Sequence, residues 1–225
     1  MTGETSEREV AIETGGGRVS GLFVRPARPR FLYVFAHGAG AGMRHAFMER
    51  AAAELAARDV ATLRYQFPYA EAGRKRPDRP AVLMDAVEAA VTEARELDQS
   101  LPLVAGGKSM GGRMTSLRHA ERPLPGVRGL AFFGFPLHQP GKPGIARAEH
   151  LDSIDVPMLF LQGTRDRLAD LELMREVTGG LGRRATLHVI DGGDHSFAVL
   201  KRSGRTADAV FTELADAFVR FAERL

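Results

Sequence analysis

Leu101-Pro102-Leu103-Val104-Ala105-Gly106-Gly107-Lys108-Ser109-Met110-Gly111-Gly112-Arg113-Met114 reads as a short apolar strand that runs through a glycine-flanked serine into a helix. The serine occupies the centre of a G-x-S-x-G pattern. At a strand-to-helix corner such a hydroxyl is held out on a sharp, strained turn, and only small residues fit two places before and after it. Ser109 is therefore the candidate nucleophile. Among 225 residues with 25 glycines a five-residue match can arise by chance. The strand before it and the four glycines at 106, 107, 111 and 112 make the context specific. A phosphate-binding turn would carry G-x-x-x-x-G-K-[ST] or G-x-G-x-x-G, and this corner has neither.

A serine hydroxyl needs a base to take its proton, and the base needs an acid to orient it. Two later apolar runs supply both. Val156-Pro157-Met158-Leu159-Phe160-Leu161 ends in Gln162-Gly163-Thr164-Arg165-Asp166, and Ala185-Thr186-Leu187-His188-Val189-Ile190 ends in Asp191-Gly192-Gly193-Asp194-His195. In a parallel sheet the ligand crevice lies beyond the carboxyl ends of the strands, so Ser109, Asp166 and His195 are expected to converge on one rim. Asp170 and Asp194 are rivals for the acid: the first is placed to cap a helix at 170–179, and the second adjoins the histidine too closely to reach its far nitrogen. His188 within a strand and His119 within a helix read as packed or surface residues.

A developing oxyanion requires preorganised donors, and backbone N–H groups in a glycine-rich loop approach it without side-chain obstruction. The third apolar run, Phe31-Leu32-Tyr33-Val34-Phe35-Ala36, feeds into His37-Gly38-Ala39-Gly40-Ala41-Gly42. The expected donors are the amides of Met110 and Ala39, with Gly40 as the neighbouring alternative.

Strand, HGAG, G-x-S-x-G, then Asp and His after two later strands resembles the order of the α/β-hydrolase superfamily. More narrowly, the chain looks like the dienelactone-hydrolase-like branch and the hydrolase-like domain in a subunit of an animal histone-acetylating complex. That likeness rests on Phe67-Pro68-Tyr69, Gly73 to Asp78, Gly107 to Arg113, Pro136 to Pro143 and Gln162 to Asp166, within a match from about Gly21 onward. It implies an α/β fold with a mostly parallel sheet of about eight strands flanked by helices. Dienelactone hydrolases proper use a cysteine nucleophile, and this chain has no cysteine, so that specific lactone cleavage is not implied.

Forty-four per cent apolar residues suffice for one substantial core, and the expected organisation is a flexible segment at 1–8 followed by a single domain at 9–225. The absence of cysteine excludes disulfides and thiol catalysis. A polar, charged opening and the lack of a long apolar run argue against a membrane span and make a cytoplasmic setting the expectation. Basic residues number 31 against 28 acidic ones, and they are scattered except at Arg74-Lys75-Arg76 and Arg79, so nucleic acid is not the expected partner. A small acyl substrate is, with no metal or organic cofactor, on a monomer or homodimer.

Apolar periodicity and breaker residues predict strands at 8–13, 18–25, 31–36, 60–66, 102–106, 128–134, 157–162 and 185–190. Helices are predicted at 44–58, 79–97, 110–120, 170–179 and 205–224, with a short helix inside a loop at 137–154. Gly15-Gly16-Gly17 suggests an antiparallel hairpin between the first two strands. About two dozen residues separate Phe133 from Val156, too few for a large helical cap. An open site follows, walled by 65–69, by 138–143 and from Phe197 onward, where Tyr69, His138 and Gly40 are candidate substrate contacts. The expected chemistry is acyl transfer from an ester to water through an acyl-enzyme on Ser109. A hydrolase-like scaffold without turnover, and a peptidase or acyltransferase on the same three residues, are the alternatives.

Overall fold

The computed structural model describes residues 4–225. One eight-stranded sheet organises them, with strands β1 (Ser6–Thr14), β2 (Gly17–Arg25), β3 (Phe31–Ala36), β4 (Val60–Tyr65), β5 (Leu103–Lys108), β6 (Val127–Phe133), β7 (Met158–Gly163) and β8 (Ala185–Ile190) in the spatial order 1-2-4-3-5-6-7-8. The first two form the expected antiparallel hairpin, β2 pairs antiparallel with β4, and every later pairing is parallel. Ser6, Glu7 and Arg8, expected in a flexible segment, instead pair with Arg25, Val24 and Phe23. Backbone pairing along that edge extends the hairpin to the ends of both strands. Residues 1–3 of the same segment lie outside the described residues.

Six helices cover the sheet: α1 (Ala46–Ala56), the single turn α2 (Pro68–Glu71), α3 (Pro80–Leu97), α4 (Met110–Glu121), α5 (Leu171–Gly180) and α6 (Ala207–Ala222). The side chains of β3 show how the two faces are filled. Leu32, Val34 and Ala36 join the core beneath α3, α4 and α5, while Phe31, Tyr33 and Phe35 join the core beneath α1 and α6. Alternation with both faces apolar is what a parallel strand buried between helix layers requires. Helix α2 escaped the sequence reading because one turn after a proline is too short to show a period. Between β6 and β7 the only helical piece is the 3₁₀ turn Glu149–Ser153, consistent with a minimal cap.

The first and last long helices clasp each other on one face. Phe47 and Phe211 rings lie 5.3 Å apart, the Arg50 guanidinium sits 4.3 Å over Phe211 while pairing with Asp208, and Arg58 Nε donates to Asp216 at 2.5 Å.

In mid-sheet the Tyr33 hydroxyl crosses β5 to donate to the Ala131 carbonyl on β6 at 2.8 Å. It passes over Gly106, where a Cβ would stand 1.9 Å from the Ala131 oxygen and 3.0 Å from the Tyr33 hydroxyl. Residue 106 also holds φ +157°, which side-chain-bearing residues rarely adopt. Gly106→Ala is expected to cost more than about 3 kcal/mol of stability through overpacking and strain. Urea denaturation checks this, and a loss under about 1 kcal/mol would show the site to be more yielding than its geometry implies.

Candidate active site

The chain leaves β4 on one side of β3 and returns as β5 on the other, so the carboxyl ends of β3 and β5 flank a topological switch point. Two loops meet there: 37–42 after β3 and the corner at Ser109 after β5. Ser109 has φ 51° and ψ −117°, a sparsely populated conformation for a non-glycine residue that costs on the order of 1–3 kcal/mol. Its amide donates to Phe133 O at 3.1 Å and its carbonyl accepts from Arg113 at 3.1 Å, which ties the corner to β6 and to α4. Side chains at 107 or 111 would stand 2.5 Å from the carbonyl oxygens of Ala36 and His37 respectively. Glycine at both places lets β5 and α4 close on β3 and leaves the Ser109 side chain facing the crevice.

The structure brings all three expected residues together. Ser109 Oγ lies 2.9 Å from His195 Nε2, and His195 Nδ1 lies 2.7 Å from Asp166 Oδ2. Asp166 is fully buried, and its oxygens also accept from Gln162 Nε2 at 2.5 Å and the Leu168 amide at 2.8 Å. Three donors to one buried carboxylate fix its orientation and offset the cost of burying charge. With Nδ1–H facing that carboxylate, Nε2 presents its lone pair to the serine hydroxyl. The rival acids are occupied elsewhere. Asp170 Oδ1 caps α5 by accepting from Glu172 and Leu173, and Asp194 Oδ1 accepts from Ser196 and Ala198 within the turn that carries His195.

The loop after β3 is pinned by His37. Its Nε2 accepts from the Phe67 amide at 3.1 Å, so Nδ1 bears the proton and donates to Gly38 O at 2.8 Å. Burial lowers its pKa to about 4, so the ring is neutral. The loop runs close to the corner, since a Cβ on Gly38 would lie 3.6 Å from Ser109 Cβ. The amides of Ala39 and Met110 have no hydrogen-bond acceptor among the described residues. Two unused amides beside the half-buried Ser109 hydroxyl, which faces the cleft, can serve an oxyanion.

The expected substrate contacts fare unevenly. Gly40 sits on the pinned loop with φ +70°, but the cleft is lined by its neighbours Ala39 and Ala41. Tyr69 is buried under that loop, stacked on Phe67, with its hydroxyl turned toward the Gly40 backbone without closing a hydrogen bond. It shapes the loop from behind. His138 does not face the cleft: Nε2 accepts from the Asp170 amide at 2.8 Å and Nδ1 donates to Gln139 O at 2.9 Å, so both ring nitrogens are spent on the local backbone. The expected walls at 65–69 and 138–143 are likewise replaced. A cleft of about 520 Å³ opens at Ser109 and is walled by Ala46, Phe47, Met48 and Arg50 of α1, Leu168, and Phe211 of α6. Sequence spacing alone does not reveal that α6 closes over α1, so these residues carried no signal. Lys108 also lines the cleft, and there the sequence did hold a cue: only four of 31 basic residues are lysine, and one stands beside the serine.

Residues 29–223 match the family described as Alpha/beta hydrolase domain. The chain belongs to that family. Two Mycobacterium tuberculosis proteins, of strains CDC 1551 / Oshkosh and ATCC 25618 / H37Rv and provisionally named phosphoribosyl transferases, are each 30% identical to it over 196 residues, which is 85% of this chain and 42% of theirs. The chain thus spans about two-fifths of the length of those relatives. Among solved structures, a dienelactone hydrolase of Anabaena variabilis superimposes with TM-score 0.78 at 20% identity, over 99% of both chains. A serine hydrolase without lid from Xanthomonas campestris gives 0.73 at 17% identity over 98% of this chain and 97% of that one, and a Pyrococcus furiosus esterase 0.74 at 14% over 97% and 94%. These three share the α/β-hydrolase fold with this chain.

Three histidines make the alpha/beta hydrolase domain sensitive to acid. Burial lowers the pKa of His37 and His150 to about 4 and lowers that of His119 as well. In the unfolded chain the same rings take up protons near pH 6.5. The unfolded state therefore binds more protons between about pH 6.5 and 4, and stability falls as pH drops through that window. The melting temperature at pH 5 is expected to lie at least about 5 °C below that at pH 7, as read by differential scanning calorimetry.

Proposed function

We propose that the protein is a serine hydrolase that cleaves carboxylic esters through an acyl-enzyme. The observation that carries this reading is the continuous hydrogen-bonded chain from Ser109 Oγ through His195 to the buried Asp166 carboxylate. In the proposed reaction His195 takes the Ser109 proton as the oxygen attacks the acyl carbon. Asp166 holds the ring tautomer and stabilises the imidazolium, and the Met110 and Ala39 amides bind the oxyanion. His195 then returns the proton to the departing alkoxide. Water, deprotonated by the same nitrogen, releases the acid and regenerates the serine.

The cleft suggests the substrate class. Ala39, Ala41, Ala46, Phe47, Met48, Leu168 and Phe211 give it a mainly apolar lining, and about 520 Å³ is within the range of small-molecule sites. Its occupant in this reading is a small ester with an apolar acyl or alcohol group. The open rim left by the short β6–β7 connection favours access from solvent over capture beneath a lid.

A panel of p-nitrophenyl esters from acetate to octanoate tests the reading. Ser109→Ala is expected to lower turnover by roughly 10⁴ to 10⁶ with the fold intact, and Asp166→Asn by roughly 10² to 10⁴. Asp194→Asn, which keeps the turn acceptor and removes only its charge, should stay within about tenfold. Turnover by Ser109→Ala near that of the natural chain would rule out the acyl-enzyme, and a larger loss in folded Asp194→Asn than in Asp166→Asn would reassign the acid.

A further inference from the structure

Lys108 is the residue immediately before the nucleophile, yet it is buried. Its Nζ donates to the carbonyl oxygen of His195 at 2.6 Å and lies 5.6 Å from the ring centres of both Phe47 and Phe197. The two aromatic faces and one carbonyl form its seat. Residue 134 holds φ +68°, which favours glycine, and a Cβ there would come 3.0 Å from Nζ and 3.3 Å from the His195 oxygen and crowd this contact. The loop that carries His195 is also held by its own turn through Asp194, by bonds between Thr164 and Gly192 and from Arg165 to Gly192 and Gly193, and at the His195 ring by Asp166 and Ser109. The bond to the His195 backbone itself comes from Lys108.

We propose that Lys108 is a positioning residue, whose ammonium ties the His195 backbone to the strand that presents Ser109 and so sets the distance between base and nucleophile. This rests on the hydrolytic reading above. A lysine reaches both ends of the tie because it is anchored on the nucleophile's own backbone: any drift of the His195 loop stretches a charge-assisted bond. Displacement by about 1 Å at such a site costs up to about a hundredfold in rate.

The tie depends on a proton. Burial lowers the Lys108 pKa from its usual 10.5 to about 8, while Asp166 and Asp194 oppose that shift. Those two carboxylates face it from the loops after β7 and β8. The His195 ring lies on the same side, the His37 ring after β3 is neutral, and Arg50 and His45 line the same cleft from α1 and its cap. Below about pH 8 the charged ammonium donates to the carbonyl and stacks on the aromatic faces. Above it the neutral amine keeps only a weaker donation to the carbonyl and loses the cation–π attraction, and the hold on the His195 backbone slackens.

The test is the pH dependence of the second-order rate at which a fluorophosphonate labels Ser109, corrected for probe hydrolysis. That rate needs serine and base but no knowledge of the substrate. In the natural chain it should fall at least about threefold between pH 7 and 9.5 around a midpoint near 8, with unchanged circular dichroism. Lys108→Met should label about ten- to a hundredfold more slowly at pH 7 and show no alkaline fall. Lys108→Arg, charged at every pH used, should recover part of the rate and also show no alkaline fall. A flat or rising alkaline rate in the natural chain overturns the proposal even if neither variant folds, as does an unchanged rate and profile in folded Lys108→Met. Those outcomes leave the hydrolytic reading standing. Absence of Ser109 labelling in the folded natural chain would remove that reading, and this proposal with it.

Discussion

Ser109 keeps its left-handed backbone because the neighbouring strands leave it no alternative. The amide is held by β6 and the carbonyl by the first turn of α4, while the flanking residues press against carbonyl oxygens of β3 with no room for a side chain. Strain at one residue persists when its surroundings over-determine it. The same closeness brings the loop after β3 alongside the serine, so the crevice, the cleft-facing hydroxyl and the unused amides all follow from how tightly β5 and α4 pack on β3.

Around this corner buried side chains help fasten neighbouring segments together. His37 joins the loop after β3 to the one after β4, Asp166 joins those after β7 and β8, and Lys108 joins β5 to the loop after β8. Hydrogen bonds in a low-dielectric interior are strong when made and costly when left open, so such fasteners rigidify what they join. Not all polar groups are served: Gln162 spends its amide on Asp166 while its own carbonyl oxygen has no partner among the described residues. That imbalance fits a residue placed for the carboxylate it serves more than for stability.

The sequence made the sheet and the three converging residues legible because each is a local signal. Strands buried on both faces give continuous apolar runs such as Phe31 to Ala36, and the runs ending near Ser109, Asp166 and His195 all end at the same side of a parallel sheet. Every strand boundary fell within two residues of its predicted place. What escaped was non-local. His138 looked like a rim residue until the fold showed the Asp170 amide bonded to its ring, and Tyr69 proved to lie behind a loop that it had been expected to front. The walls of the cleft come from helices far apart in sequence, as between Phe47 and Phe211, and no periodicity encodes which helix will lie beside which. Lys108 was visible as a letter but not as a burial.

That last pairing has a consequence for when the cleft comes into being. During synthesis the corner at Ser109 and the loop after β3 emerge before α6, which contributes Phe211 and grips α1 through Asp208 and Asp216. Closing a contact across so much chain is slow and carries a loop-closure cost, so it is not made by default on the way to the fold. A nascent chain stopped before Ala207 would carry every candidate catalytic residue and still lack one side of its pocket, leaving Phe47 and the face of α1 bare to water. Completion of the cleft in this sense waits until α6 has been made and folded.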